Sequence, residues 1–297
     1  MRLVATLVSA RAARAVDAAT VERAAATLSA DEIVWLEAGI AVDLILPADN
    51  ADPADIRVQL REILGRAPVD IIVQPVEGRR KRLLVADMDS TMIGQECIDE
   101  LAAEVGLKEH VAAITERAMR GEIAFEPALR ERVALLKGLP EDIATKVIAE
   151  RITLTPGATT LIRTMRANGG YTALVSGGFT MFTKPIAAMI GFDETHANIL
   201  GIAAAKLDGT VADPILGQDA KRMHLLRLTS ERGMAGSETI AVGDGANDLA
   251  MIEAAGIGVA YHAKPAVAAR ASAVVDHADL TALLFMQGYT ATEFVDG

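Results

Sequence analysis

Three short apolar stretches of this chain each end in a polar cluster. Leu83-Leu84-Val85-Ala86 runs into Asp87-Met88-Asp89-Ser90-Thr91, Leu174-Val175 into Ser176-Gly177-Gly178-Phe179, and Ala241-Val242 into Gly243-Asp244-Gly245-Ala246-Asn247-Asp248. Continuous apolar runs of this length read as strands buried on both faces of a parallel sheet, and such sheets bind ligands at the carboxyl ends of their strands. If the three strands are neighbours, their ends gather three or four carboxylates, one hydroxyl and several backbone N–H groups. Carboxylates converging on one point repel each other and imply a bound cation. An all-oxygen donor set favours Mg2+, which is held by one or two carboxylates plus substrate phosphate and water. The implied chemistry is that of a bound divalent cation.

Each cluster alone has an ordinary use. Asp-x-Asp after a strand also serves turns and helix caps, glycines after strands are common punctuation, and a helical lysine such as Lys221 is usually solvated surface. Two glycines and two acids at one strand-to-helix turn are poor for stability, which makes the third cluster harder to dismiss. The clusters occur in order on alternating elements, and together they describe a site.

Those elements read as follows. From residue 155 onward, helices (158–167, 181–189, 219–232, 248–254) alternate with strands (172–175, 239–242, 257–260), the pattern of a doubly wound α/β sheet. Lys206-Leu207-Asp208-Gly209-Thr210-Val211 reads as a hairpin with an Asp-Gly turn. Residues 95–152 are helical throughout (98–105, 111–119, 127–136, 141–149), so a helical cap is inserted after the first strand. Before it, strands at 2–8, 32–36, 40–46 and 69–74 and helices at 18–28 and 53–65 give a βαββαβ order, which fits a small α+β ferredoxin-like sandwich of the ACT type. Glu77-Gly78-Arg79-Arg80-Lys81-Arg82 joins the two patterns. On an acidic chain this basic run reads as a solvated linker rather than a nucleic-acid patch. Residues 1–78 and 79–297 are therefore expected to form separate, self-contained domains.

Composition agrees. The 297 residues include 40 acidic and 29 basic side chains for a formal charge of −11, which lacks the basic footprint of nucleic-acid binding. Aromatics are 3%, so Ala, Val, Leu and Ile must build the cores. The single cysteine, Cys97, excludes a disulfide framework and a multi-thiolate metal site. The apolar run 3–10 is followed at once by Arg11 and Arg14, which suits an opening strand and not a signal peptide. With no apolar stretch of membrane-spanning length, a cytoplasmic protein is expected.

The set Asp87-Met88-Asp89-Ser90-Thr91, Ser176-Gly177-Gly178, Lys221 and Gly243-Asp244-Gly245-Ala246-Asn247-Asp248 resembles the four motifs of the haloacid dehalogenase (HAD) superfamily. Glu96-Cys97-Ile98-Asp99-Glu100 and Phe125-Glu126-Pro127-Ala128-Leu129-Arg130-Glu131-Arg132-Val133 in the insert are similar to its phosphoserine phosphatase branch. The resemblance covers about residues 83–285 and implies a set of roles. Asp87 is then the nucleophile that forms an aspartyl-phosphate, and Asp89 the acid and base that serves the leaving serine oxygen and the hydrolytic water. Mg2+ sits on the Asp87 carboxylate, the Asp89 carbonyl and Asp244, with Asp248 in support. Ser176, the Gly177 N–H, Lys221 and Asn247 serve the phosphate, Glu96 the serine ammonium and Arg132 its carboxylate, while Phe125 closes over the ligand. The implied activity is Mg2+-dependent hydrolysis of O-phospho-L-serine, the last step of L-serine biosynthesis. The competing expectations are another small phosphomonoester or phosphoryl acceptor, and an idle phosphatase whose N-terminal module senses an amino acid. Intact Asp87, Asp89, Lys221 and Asp244 oppose the last. The N-terminal module is expected to take an amino-acid effector and to support a homodimer.

Overall fold

The computed structural model describes residues 2–48, 52–119 and 122–296. The N-terminal lobe is a four-stranded antiparallel sheet with two helices. Strand β1 (Leu3–Ser9) leads into α1 (Ala18–Thr27), then β2 (Glu32–Glu37), β3 (Ala41–Leu46), α2 (Pro53–Leu64) and β4 (Val69–Pro75), in the spatial order β2-β3-β1-β4. This is a ferredoxin-like arrangement. The Asp17 carboxylate accepts the Thr20 N–H at 2.9 Å to start α1, and Asp52 caps α2 with Pro53 in its first turn.

Strands β1 and β3 are buried at every residue. One face packs Leu7 and Leu44 against Val21 and Leu60 of the helices, while Val8, Ile40 and Ile72 on the other join a core shared with Phe285, Met286 and Tyr289. The two lobes thus share a core, with the second face of the N-terminal sheet covered by residues 285–289. Polar contacts reinforce the seam. The Asp70 carboxylate accepts the backbone N–H groups of Asp276, His277 and Ala278 at 2.8–3.2 Å, and Gln74 Nε2 donates to the Met286 carbonyl at 2.6 Å. From the basic run, Arg79 crosses this seam to buried Asp43, while Arg80 pairs with Glu293 and Arg82 with Glu238 on the larger lobe.

The larger lobe opens with β5 (Leu83–Ala86) and the helical cap: α3 (Cys97–Glu104), α4 (Lys108–Met119), α5 (Phe125–Ala134) and α6 (Ile143–Arg151). It continues through α7 (Ala158–Ala167), β6 (Tyr171–Phe179), α8 (Thr180–Ile190), β7 (Glu194–Asn198), β8 (Leu200–Ala203), β9 (Lys206–Val211), α9 (Gln218–Glu231), β10 (Thr239–Gly243), α10 (Leu249–Ala254), β11 (Ile257–Tyr261), α11 (Pro265–Ala268), β12 (Ala273–Val275) and α12 (Ala282–Phe285). Six of these strands form a parallel sheet ordered β12-β11-β10-β5-β6-β7. In β5, Leu84 and Ala86 face the core that holds Leu161 and Ile186, whereas Leu83 and Val85 face Leu225 and Leu228, so both faces are covered by helices. The chain builds outward from β5 in one direction and then returns to β10 on its other side. That reversal opens the crevice where ligands bind in such folds.

One local expectation fails. Residues 206–211 are a single strand, β9, and its hairpin partner is β8. The turn is Ala204-Ala205, with φ of +52° and +59°, while Asp208, Gly209 and Thr210 form an irregularity opposite Gly201. The Asp208 carboxylate turns back to accept the Thr210 N–H at 2.8 Å, so this Asp-Gly pair bends a strand and does not reverse it.

Candidate active site

Strands β10, β5 and β6 are parallel neighbours, so the three polar clusters meet at the carboxyl end of the sheet. The Asp87 N–H donates to the Val242 carbonyl at 3.0 Å, which ties the first cluster to the end of β10. The Asp87 carboxylate takes the Met88 N–H at 2.7 Å and the Lys221 ammonium at 2.7 Å. Lys221 reaches in from α9 with only 1% of its side chain exposed and also meets Asp248 Oδ1 at 2.6 Å. Burial disfavours its charge, but the two carboxylates outweigh that cost and raise its pKa above the ordinary lysine value.

Asp248 folds back over the strand end, where Gly245 N–H donates to its Oδ2 at 3.1 Å. A Cβ on Gly243 would stand 2.4 Å from the Asp248 carboxyl carbon, so only glycine allows this approach. Oxygens of Asp87, Asp244 and Asp248 all lie within 4.8 Å of one another. Burial first and then the charge of Asp87 push Asp244 up to about 6 and Asp248 up to about 7. Three acids crowded in this way form a donor set that a divalent cation would relieve.

Asp89 is not in that cluster. Its Oδ1 accepts the Cys97 N–H at 3.3 Å at the start of α3. Burial, with Glu96 and Asp87 as like charges, holds its carboxyl well above the usual carboxylate range. Its Oδ2 lies beside Gly178, where a Cβ would stand 3.0 Å from that oxygen and 3.1 Å from Ser176 Oγ. Gly178 thus allows Asp89 and Ser176 to share one corner, and its N–H donates to Ser176 Oγ at 2.9 Å. Asn247 lies on the turn between Gly245 and Asp248.

The cap supplies the other groups. Glu96 accepts the Ser90 hydroxyl at 2.7 Å, and loss of hydration with the nearby charges of Asp87 and Asp99 raises its pKa. Arg132, on α5, is held by the Ala128 carbonyl and the Thr115 hydroxyl; its nearest opposing charges are Asp99 and Glu96. Phe125, 39% exposed, lies across the backbone of Gly177 and Gly217 and so bridges cap and sheet. A groove of about 1010 Å3 runs past Phe125 toward Leu216, Met223 and His196; Asp87, Asp89, Asp244 and Asp248 do not line it.

Three further residues support the site without having been singled out. Buried Asn198 donates to the Gly177 and Leu216 carbonyls and accepts the Leu216 N–H at 2.7 Å, stitching the end of β6 to the approach to α9. The Lys264 N–H donates to the Asp244 carbonyl, and its charge lowers the pKa of both Glu96 and Asp244. Thr91 Oγ1 donates to Asp244 Oδ1 at 3.4 Å. Thr91 sits inside the first cluster and was legible there; Asn198 and Lys264 stand in stretches with no motif.

Residues 84–253 match the model of the haloacid dehalogenase-like hydrolases. The chain belongs to that family. Haloacid dehalogenase-like phosphatases generally use a metal ion, and the carboxylates of Asp87, Asp244 and Asp248 lie close enough together that they could hold one. A phosphoserine phosphatase from Archaeoglobus fulgidus is 42% identical over 76% of this chain and 66% of its own length. A crystal structure of a HAD-family hydrolase from Salmonella enterica subsp. enterica serovar Typhi superposes with a TM-score of 0.85 at 30% identity, covering 97% of this chain and 98% of that one. That of a probable phosphoserine phosphatase from Vibrio cholerae superposes with a TM-score of 0.78 at 31% identity, covering 98% and 88%. The match spans 55–66% of the length of four curated phosphoserine phosphatases. Among the described residues no helix is long and apolar enough to cross a membrane.

Proposed function

We propose that this protein hydrolyses O-phospho-L-serine to L-serine and phosphate, with Mg2+ as its metal. The observation that carries the reading is the meeting of two acids in different settings, Asp87 against the Lys221 ammonium at 2.7 Å and Asp89 beside Ser176, where burial holds its carboxyl above the usual carboxylate range. Asp87 attacks phosphorus in line, and the bond to the serine oxygen breaks as Asp89 passes its proton to that oxygen. The Asp89 carboxylate then takes a proton from water, which attacks the aspartyl-phosphate, releases phosphate and regenerates Asp87. Ser176, the Gly177 N–H and Asn247 hold the phosphate oxygens, and Lys221 offsets the charge that gathers on the transferring group. Asp87 and Asp244, with the Asp89 carbonyl, are the assigned cation ligands and Asp248 supports them. Bound there, the cation offsets the repulsion between an anionic nucleophile and an anionic phosphate. In the cap, Glu96 faces the ammonium and Arg132 the carboxylate of the amino acid, and Phe125 excludes water.

Residues 1–78 are assigned as an ACT-like regulatory domain for an amino-acid effector, with homodimer formation, and 79–297 as the phosphatase domain with its cap at about 95–152. The assigned location is the cytoplasm. The test is release of phosphate from phosphoserine, phosphothreonine and several sugar phosphates, with and without Mg2+. Phosphoserine should lead the panel, and only with the metal present. Equal rates across the panel, or none, would overturn the assignment.

A further inference from the structure

Arg132 is held from behind. Its guanidinium carries five N–H donors in a rigid fork. Nε donates to the Ala128 carbonyl one turn back in α5 at 3.2 Å, and Nη1 donates to Thr115 Oγ1 on α4 at 3.1 Å. The Thr115 proton is committed elsewhere, donated to the Val111 carbonyl at 3.1 Å. Such a bond to the carbonyl four residues back is ordinary for a helical threonine. Its consequence is that a hydroxyl lone pair is left for the arginine, at a fixed place on a different helix. Among the described residues no carboxylate closes an ion pair with Arg132; Asp99 and Glu96 act on it only as nearby charges.

We infer that Thr115 is the positioning residue for Arg132, turning the free N–H groups of the guanidinium toward the cleft and so setting the preference for a phosphomonoester that carries a carboxylate. The inference rests on the proposed role of Arg132 as partner of the substrate carboxylate. An arginine on a long flexible stem loses side-chain entropy whenever it is held in one geometry. The Thr115 hydroxyl and the Ala128 carbonyl impose that geometry before substrate arrives, one from α4 and one from α5. Removing the hydroxyl leaves the charge in place and the aim undefined. The effect therefore falls on affinity for the carboxylate end and not on phosphoryl transfer.

The experiment compares phosphoserine with phosphoethanolamine, which keeps the phosphate ester and the ammonium but lacks the carboxylate. Thr115→Val removes the acceptor at nearly constant volume, Thr115→Ala is a second route to the same loss, and Thr115→Ser restores the hydroxyl. Loss of one hydrogen bond to a charged group predicts a KM for phosphoserine raised about tenfold in Thr115→Val, with kcat and the phosphoethanolamine constants within about twofold. Thr115→Ser should return KM to the wild-type value, and in an Arg132→Ala background Thr115→Val should add nothing. A wild-type protein indifferent to the carboxylate would overturn the reading of Arg132 itself. A wild-type preference left intact by Thr115→Val and Thr115→Ala, or lost equally on both substrates, would overturn the role of Thr115 alone.

Discussion

Replacing Lys221 by methionine keeps most of the buried stem and removes only the ammonium. That ammonium lies 2.7 Å from Asp87 Oδ1 and 2.6 Å from Asp248 Oδ1, with Asp244 in the same cluster. Removing one partner of a buried ion pair costs about 3–5 kcal/mol, because the remaining charge is stranded away from water. Here one acid has an escape. Asp248 is pushed up to about 7 even with Lys221 beside it. Without the ammonium it rises further and takes up a proton near neutral pH. That relief holds the cost to the low end, about 3 kcal/mol, or about 6–12 °C in the melting temperature. Turnover should fall at least about 100-fold, since the cation nearest the reacting carboxylate is gone. Thermal unfolding in EDTA at pH 7.5, followed by circular dichroism for wild type, Lys221→Met, Asp248→Asn and the double variant, measures the effect. The double variant should be more stable than Lys221→Met by about 1–2 kcal/mol, because the stranded carboxylate is removed with its partner. Activity should stay lost. A Lys221→Met protein that melts with the wild type, or strictly additive effects in the cycle, would refute the account of a three-acid cluster held together by one lysine.

Asp87→Asn should abolish phosphate release while melting at or above the wild-type temperature, because an amide forms no acyl phosphate and relieves the repulsion with Asp244; measurable turnover by the folded variant would remove Asp87 as nucleophile. Asp70→Ala leaves three backbone N–H groups at 276–278 without their acceptor and should cost about 3 kcal/mol. It should also speed proteolysis in the 77–82 segment while sparing phosphoserine kinetics at 25 °C, and an unchanged urea midpoint would rule out the latch. Burial, then the charges of His196 and Arg227, lower His224 to about 4, so between that value and its ordinary 6.5 the unfolded chain binds more protons than the native one. Stability should therefore fall as pH drops from 6.5 toward 4, by about 1 kcal/mol after solvent screening of a half-buried ring. His224→Gln should flatten that slope in urea titrations at pH 7 and pH 5, and an identical slope in the variant would exclude His224 as its source.

The chemistry was legible because its residues stand in contiguous clusters at the ends of strands whose apolar runs are long enough to recognise. Once β10, β5 and β6 are neighbours, Asp87, Ser176 and Asp244 have little choice about where they meet. Lys221 was less certain, since nothing in the composition of α9 marks it as buried; only its two carboxylate partners explain how a lysine sits in that core. Strand β7 escaped notice because its residues, Glu194-Thr195-His196-Ala197-Asn198, carry little apolar signal and owe their extension to the neighbouring strand, and β8 and β12 because they are only four and three residues long. The Ala204-Ala205 turn was hidden for a different reason. Two alanines with positive φ have no glycine to announce them, whereas Asp208-Gly209 advertises a turn and lies within a strand. The basic run was hidden in another way, since charges that read as a solvated linker are each held in an ion pair, Arg79 with buried Asp43, Arg80 with Glu293 and Arg82 with Glu238.

That seam has a consequence for the chain during its synthesis. Val8, Ile40 and Ile72 are translated early, but Phe285, Met286 and Tyr289, which cover them, come near the end. The wait is about 200 residues, or about 10–40 s at about 5–20 residues per second. Throughout that interval the finished N-terminal sheet leaves the ribosome with its helices packed on one side and its other side bare and apolar. The nascent chain is thus at its stickiest while the catalytic lobe is being made, and the segment from Phe285 to Tyr289 is what ends that exposure.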